Sequence, residues 1–123
     1  MAASVTTTPP PRQDRLQEPV FRYKVDWVSA VDGSATGDLG NVYNGVLYNA
    51  VFVPSTTDVP TDQYDVTITD DFGLDILATG GANRSATNKE RVTPTAIQYH
   101  GNLTLNVTNA GNTKAGSIYL YVR

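Results

Sequence analysis

The sequence predicts an all-β protein, an antiparallel β-sandwich or small barrel with jelly-roll-like connections, preceded by an extended N-terminal arm. Three observations predict this fold class. Short runs of β-branched and aromatic residues alternate with polar residues, as half-buried strands do. Clusters of glycine, asparagine and proline separate these runs. No apolar stretch of the 123 residues approaches the length of a membrane-spanning helix.

The clearest element is the stretch of residues 63–77, QYDVTITDDFGLDIL. Its apolar side chains recur at every second position from Tyr64 to Ile68, which predicts a strand with one buried face. Residues 70–73, DDFG, favour a turn because aspartate hydrogen-bonds its own backbone and glycine accepts positive φ. Residues 74–77 then resume an extended pattern, so the whole stretch predicts a β-hairpin.

Two more strands and a long loop are predicted between the arm and this hairpin. Residues 20–31 alternate apolar with charged residues, which predicts an aromatic inner face and a charged outer face. Residues 32–41 are polar and rich in glycine, which predicts a loop. Residues 42–53, VYNGVLYNAVFV, are apolar on both faces and predict a central or interface strand with a bulge at Gly45.

The C-terminal part of the chain predicts an edge strand and a closing hairpin. Residues 91–99 form a weaker strand pattern that Pro94 interrupts, and proline is confined to edge strands. Residues 103–108 and 117–122 alternate clearly, and the polar segment between them predicts that they pair as a hairpin.

Tyr119 and Tyr121 are the candidate interface residues of the predicted sandwich. They lie opposite the aliphatic Ile118, Leu120 and Val122 of the same strand, so their rings face outward. Exposed tyrosine pairs favour a subunit interface over a carbohydrate platform when no polar sugar-binding cluster accompanies them. A second sheet packed over the two rings is the alternative.

Charge and composition argue against several functions. The net charge is -3 and the isoelectric point is about 4.8, with basic residues scattered along the chain, so no nucleic-acid partner is predicted. The absence of cysteine excludes disulfides, thiolate nucleophiles and the usual structural zinc sites. The N-terminus lacks the pattern of a secretory signal, and we expect a protein made in the cytoplasm, with no membrane partner.

No residue pattern predicts a cofactor, a metal site or a reaction. Asp65, Asp70, Asp71 and Asp75 offer oxygen ligands for calcium, but the spacing of an EF-hand is absent and aspartate is a preferred turn residue. The interpretation as turn residues is therefore favoured. His100 is the single histidine, and no spacing selects a nucleophile for it, so the protein is predicted not to be an enzyme.

Several features together resemble small virion structural proteins of tailed bacteriophages, of the capsid decoration or cement type. They are the Pro/Thr-rich arm, QYDVTITDDFGLDIL in mid-sandwich, the tripeptide NRS at residues 83–85, and the ending GNLTLNVTNAGNTKAGSIYLYVR. The likeness covers roughly residues 40–123 and rests on pattern. The resemblance implies a structural role in the virus particle and no catalytic activity.

What the resemblance implies for partners is specific. Decoration proteins commonly sit as symmetric oligomers, often trimers, on the outer capsid surface and bind the major capsid protein. We therefore expect a homo-oligomer, with a trimer favoured, bound to the major capsid protein on the outside of the virion. A neck or tail component is one alternative. A carbohydrate-binding β-sandwich module is another, with Trp27 the first residue to examine for a glycan contact.

The arm is predicted to span residues 1–19 and the sandwich domain residues 20–123. The arm contains consecutive threonines and prolines, and consecutive prolines favour an extended path. It has too few apolar side chains to offset the entropy lost on ordering, so we expect it to become ordered only when a partner binds. On a particle it would dock by edge-strand pairing, apolar burial and ion pairs. The arm residues expected to contact the partner are Val5, Pro9, Pro10, Pro11, Arg12, Arg15 and Leu16.

Overall fold

A computed structural model describes residues 3–9 and 20–123. Every regular element within these two ranges is a β-strand, which confirms the predicted all-β class. The described part of the chain contains no helix of the length and apolarity needed to cross a membrane. In chain order the strands are β1 (Ser4–Thr8), β2 (Phe21–Val28), β3 (Ala35–Pro54), β4 (Asp65–Thr69), β5 (Glu90–Val92), β6 (Ile97–Thr108) and β7 (Ala115–Val122).

The strands form one antiparallel sheet in the order β1-β2-β7-β3-β6-β4, with the short β5 paired to β3 beside this path. β3 is 20 residues long and serves both halves of the sheet. Its N-terminal part pairs with β6 and its C-terminal part with β7. The register shifts between Asp38 and Gly45, which confirms the irregularity predicted at Gly45. Because β3 passes from one half to the other, the sheet curls into a nearly closed barrel.

The core lies between the two halves of the curled sheet. Alternation directs Val25 and Trp27 of β2 inward, as it does Ile118 and Leu120 of the neighbouring β7, and each of these is at most 1% exposed. The predicted inner face of β2 is thereby confirmed. The Trp27 and Tyr64 rings lie 5.5 Å apart at an interplanar angle of 49°, a tilted arrangement that aromatic pairs favour. Burial of such side chains is the main stabilising contribution to a fold of this size.

Part of the predicted arm belongs to the sheet. Ser4–Thr8 pairs with β2 in antiparallel register, with Val5 opposite Trp27. Val5 also packs over Gly37 of β3, where an added Cβ atom would lie only 2.8 Å from the Val5 Cβ. The sheet therefore begins before the boundary predicted at residue 20, because backbone pairing and one valine contact are sufficient to seat a short edge strand.

The hairpin predicted at residues 63–77 forms only in part. The inward face of β4 is buried as predicted, and a turn follows it. Residues 74–77, however, make one isolated bridge, between Thr69 and Asp75, where a second strand was expected. The Asp75 carboxylate bends the chain there by accepting hydrogen bonds from the backbone N–H groups of Ile68, Leu77 and Thr79. The strand paired with β4 is β6.

Two strand boundaries also differ from the prediction. Residues 32–41, expected to be a loop, include the first part of β3, because Ala35 and Leu39 point into the core and are at most 1% exposed. The edge strand predicted at residues 91–99 is divided near Pro94. Its first part is the short β5, and its last part begins β6.

The closing hairpin predicted between β6 and β7 is wrong. These strands lie in different halves of the sheet, with β3 between them. The segment that connects them is tied to the turn after β2: the Ala110 N–H donates to the Gly33 carbonyl at 3.0 Å. The buried Ser29 hydroxyl donates to the Gly111 carbonyl at 2.6 Å and accepts from the Lys114 N–H at 2.8 Å. These bonds direct β7 away from β6 and into the gap between β2 and β3.

Candidate partner-binding surface

Tyr119 and Tyr121, the predicted interface residues, lie on the outer face of β7. β7 is paired with β2 on one side and with β3 on the other, so this face is central in a broad surface. Ile118, Leu120 and Val122 fill its inner face. Both tyrosine side chains are half-buried. The described strands therefore do not cover them as a second sheet would, and the rings are accessible from outside.

An arginine side chain lies over each tyrosine ring. The guanidinium carbon of Arg22 is 5.1 Å from the ring centroid of Tyr119, and that of Arg91 is 5.5 Å from the ring centroid of Tyr121. Arg22 belongs to β2 and Arg91 to β5, so the two arginines approach β7 from opposite sides. Each is a cation–π contact of the kind worth about 0.5–1 kcal/mol at exposed sites.

The other side chains around the two tyrosines are mostly basic or polar. Arg123 Nη1 donates to the Tyr48 hydroxyl at 3.0 Å. Lys24 Nζ lies 3.8 Å from Asp26 Oδ1, and Ser117 Oγ donates to that carboxylate at 2.5 Å. Basic residues that are scattered in the sequence thus converge in space on a chain whose net charge is -3. We define the tyrosine–arginine face as Arg22, Lys24, Arg91, Tyr119, Tyr121 and Arg123.

Two of the arm residues predicted to contact a partner are within the described ranges. Val5 points inward from β1 and packs on Gly37, so its side chain is taken up by the sheet. Pro9 directly follows β1 and is exposed. Outside the described residues lie Pro10, Pro11, Arg12, Arg15 and Leu16, and their contact with a partner stays a prediction.

Three of the aspartates considered as calcium ligands bind backbone N–H groups. Asp70 Oδ1 accepts two hydrogen bonds within its own turn, at 3.0 and 3.1 Å. Asp75 accepts the three bonds described above, and Asp65 accepts the N–H of Asn83 at 3.0 Å. Within the described ranges, no three His, Cys, Asp or Glu side chains are grouped so as to hold a metal ion. The bonds of Asp70 and Asp75 within their own turns are those of turn residues, whereas Asp65 begins β4 and binds a distant segment.

The turn after β4 presents apolar side chains to solvent. Phe72 is 82% exposed and Leu74 is 65% exposed. Beside this turn lies an open groove of about 500 Å³, which also borders the irregular part of β3 and the start of β6. On its wall Asp71 Oδ2 is 3.2 Å from His100 Nδ1. Burial raises the pKa of the Tyr99 phenol, at the base of the groove, above its ordinary value.

The structure places Trp27 in the core and His100 at the surface. Trp27 is 1% exposed, so its ring is not accessible for stacking on a sugar. His100 is exposed and hydrogen-bonds to Asp71. The absence of enzymatic activity stays a prediction. Tyr64, which packs on Trp27, is also buried, and burial raises its pKa to about 12.

Sequence reasoning identified the tyrosines of this surface but missed their arginine partners. The alternation of β2 placed Arg22 on an outer, charged face, which is correct. Its contact with Tyr119 depends on the pairing of β2 with β7, which no local pattern specifies. The sequence also predicts that Phe72 lies in a turn. Because turns lie at the surface, this position is the sequence feature that could have indicated an exposed phenylalanine.

No protein-family model, no curated protein and no solved structure matches this chain. A functional proposal therefore rests on the sequence, the sheet and the tyrosine–arginine face. The face is one of two candidate contact surfaces, and the turn with Phe72 and Leu74 is the other.

Proposed function

We propose that this protein is a structural component of a tailed-phage virion, namely a capsid decoration (cement) protein that binds the outer capsid lattice. Two things support the proposal: the resemblance of the sequence to small virion proteins, and the tyrosine–arginine face. The face carries the structural argument. Tyrosine and arginine are enriched at protein interfaces. They are also enriched among the few interface residues that contribute most of the binding energy.

The geometry of the face suits binding because it is ordered in advance. Tyr119 and Tyr121 lie on a strand that is hydrogen-bonded on both sides, and a guanidinium group contacts each ring. Side chains that are already fixed lose less conformational entropy on association. A lattice also offers many equivalent sites, so modest affinity per copy is sufficient when copies are linked.

The charge of the face indicates the chemistry of its partner. Four of the six residues that define the face are basic, and Asp26 is the acidic side chain beside them. An acidic surface on the major capsid protein is therefore the expected counterpart. Such complementarity raises the association rate at low salt more than it raises the final affinity. The arm segment between β1 and β2, with Arg12, Arg15 and Leu16, is proposed as the second contact.

Of the alternatives, a neck or tail component uses the same face in a ring of fewer copies. The carbohydrate-binding alternative has less support, because Trp27 lies in the core. A decoration protein binds in many copies over the capsid lattice, whereas a neck or tail protein binds in the few copies of one ring. The experiment therefore measures the number of copies bound per particle.

The test is co-sedimentation of the purified full chain with empty heads of the phage that encodes it. We expect saturable binding at a copy number comparable to that of the major capsid protein. Arg91→Ala combined with Tyr121→Ala should weaken binding. Asp38→Ala is the matched control, because Asp38 lies on the outer side of the other half of the sheet.

Two other outcomes have distinct meanings. Binding at the copy number of a single ring would favour the neck or tail. No binding to heads would reject the decoration role.

For the arm, Arg12→Ser with Arg15→Ser is preferable to deleting residues 1–19, because the deletion would also remove β1 and leave the edge of β2 unpaired.

A further inference from the structure

Two surface features are candidates for contact with another molecule: the apolar side chains of the turn after β4, and the tyrosine–arginine face. Phe72 is 82% exposed and Leu74 is 65% exposed, and both lie beside the carboxylates of Asp70 and Asp71. Single apolar side chains are scattered over any protein surface. Two large ones on the same turn are instead typical of a contact surface.

The turn is rigid without any contribution from these apolar side chains. Asp70 Oδ1 accepts the N–H of Phe72 at 3.0 Å and that of Leu74 at 3.1 Å. The Asp70 N–H donates to the Leu74 carbonyl at 3.0 Å, and Gly73 takes a φ of 78°, a value that favours glycine. The backbone of the turn therefore directs Phe72 and Leu74 outward, so little backbone entropy is lost when they bind.

The turn and the tyrosine–arginine face are complementary in charge and in chemistry. The turn is acidic and apolar, and the face is basic and aromatic. A phenylalanine ring packs favourably on tyrosine rings such as those of Tyr119 and Tyr121. A carboxylate such as that of Asp71 forms charge-assisted hydrogen bonds with arginine. Within one copy the turn borders a different surface, the groove next to His100.

We propose that the turn of residues 70–74 in one copy docks on the tyrosine–arginine face of a second copy. The two surfaces consist of different residues, so the contact is heterologous and generates a ring where its rotation closes. This inference goes beyond the proposed function, in which the same face binds the capsid. It rests on the expectation that the protein assembles with copies of itself, and it names the interface. A surface of the major capsid protein is the competing occupant of the face.

The experiment measures the mass of the purified full chain by size-exclusion chromatography with light scattering, over a range of concentrations. The wild type is expected above the 13.2 kDa of one chain. Phe72→Ser disables the turn, and Arg91→Glu disables the face. Each variant alone is expected to have the mass of one chain. In an equimolar mixture the intact face of one variant meets the intact turn of the other, so a mass of two chains is expected.

Controls separate the contact from folding. Val31→Ser is the matched control, because Val31 is 67% exposed on another turn, and it should keep the wild-type mass. Circular dichroism checks that each variant is folded, and Tyr121→Ser replaces Arg91→Glu if that variant is not. A wild type with the mass of one chain at all concentrations overturns the inference. So does a mixture that does not associate, or a Phe72→Ser variant that keeps the wild-type mass.

The result is independent of the test of the proposed function. A wild type that has the mass of one chain and still binds phage heads overturns the self-contact and assigns the tyrosine–arginine face to the capsid. A protein that associates through the turn and face but does not bind heads supports the self-contact and rejects the decoration role.

Discussion

The Arg22 guanidinium carbon lies 5.1 Å from the centroid of the Tyr119 ring, and this contact joins β2 to β7 across the outer face of the sheet. The two residues are diagonal neighbours, since Arg22 is opposite Tyr121 in the ladder and Lys24 is opposite Tyr119. Diagonal pairs are within reach of long side chains. The contact therefore stabilises the fold and orders the face at the same time.

A double-mutant cycle measures the strength of this contact. We expect Arg22→Ala and Tyr119→Ala to show a coupling free energy of about 0.5–1 kcal/mol in urea unfolding, as exposed cation–π pairs do. Asp38→Ala combined with Tyr119→Ala is the control and should be additive, because Asp38 lies in the other half of the sheet. A coupling indistinguishable from zero would contradict a stabilising contact between Arg22 and Tyr119.

Gly116 lies directly against the ring of the core Trp27. A Cβ atom at Gly116 would lie 2.7 Å from Cζ2 of Trp27 and 2.9 Å from its Cε2. Gly116→Ala is expected to lower the free energy of unfolding by about 1–3 kcal/mol, as overpacking of a core does. Gly40→Ala is the matched control, since a Cβ at Gly40 meets nothing within 4 Å. Thermal unfolding of both variants tests this, and equal midpoints would contradict it.

Ser29 is a buried hydroxyl on which the connection to β7 depends. It donates to the Gly111 carbonyl at 2.6 Å and accepts the Lys114 N–H at 2.8 Å. Ser29→Ala leaves those groups unpaired, so we expect a loss of about 1–3 kcal/mol in the free energy of unfolding. Ser34→Ala removes an exposed hydrogen bond to Asp32 and should cost clearly less. Similar losses for both variants would argue against this role for Ser29.

The raised pKa of the buried Tyr64 leads us to expect a loss of stability at alkaline pH. Burial raises its pKa from 10.0 to about 12, so the folded state favours the neutral phenol. The resulting stabilisation is complete below pH 10 and is lost as the pH rises towards about 12. Tyr64→Phe should make the free energy of unfolding decline less over this interval. At neutral pH it should cost little, because the hydroxyl has no hydrogen-bond partner among the described residues.

Urea unfolding at a series of pH values, with tyrosinate absorbance followed in parallel, checks this expectation. Tyr121→Phe is the control, because its ring is on the outer face and it should retain the alkaline decline. If Tyr64→Phe declines as steeply as the wild type, another group controls the alkaline behaviour.

The directions of side chains could be predicted because they are a local property of a strand. Period-two alternation placed Tyr119 and Tyr121 outward and Trp27 inward, and the structure agrees. The bulge at Gly45 followed from an isolated glycine in an apolar run. These predictions needed only neighbours along the chain.

The partners of the strands could not be predicted because they depend on distant residues. β6 and β7 have the alternation of a hairpin, yet the hydrogen bonds of Ser29 and Gly33 to the segment between them direct β7 elsewhere. The second strand after β4 is missing because one carboxylate, that of Asp75, binds three backbone N–H groups. The arginine contacts of the face depend on the same distant pairings.

The position of β7 constrains how the chain acquires its structure during synthesis. β7 is made after the other described strands, yet it lies between β2 and the C-terminal half of β3. A nascent chain that lacks it exposes two unpaired strand edges, which are templates for aggregation. Pairing Phe21 with Val122 also closes a loop that spans most of the chain, and such contacts form slowly. Completion of the barrel therefore waits until β7 has left the ribosome, and a polypeptide released before that point should be insoluble.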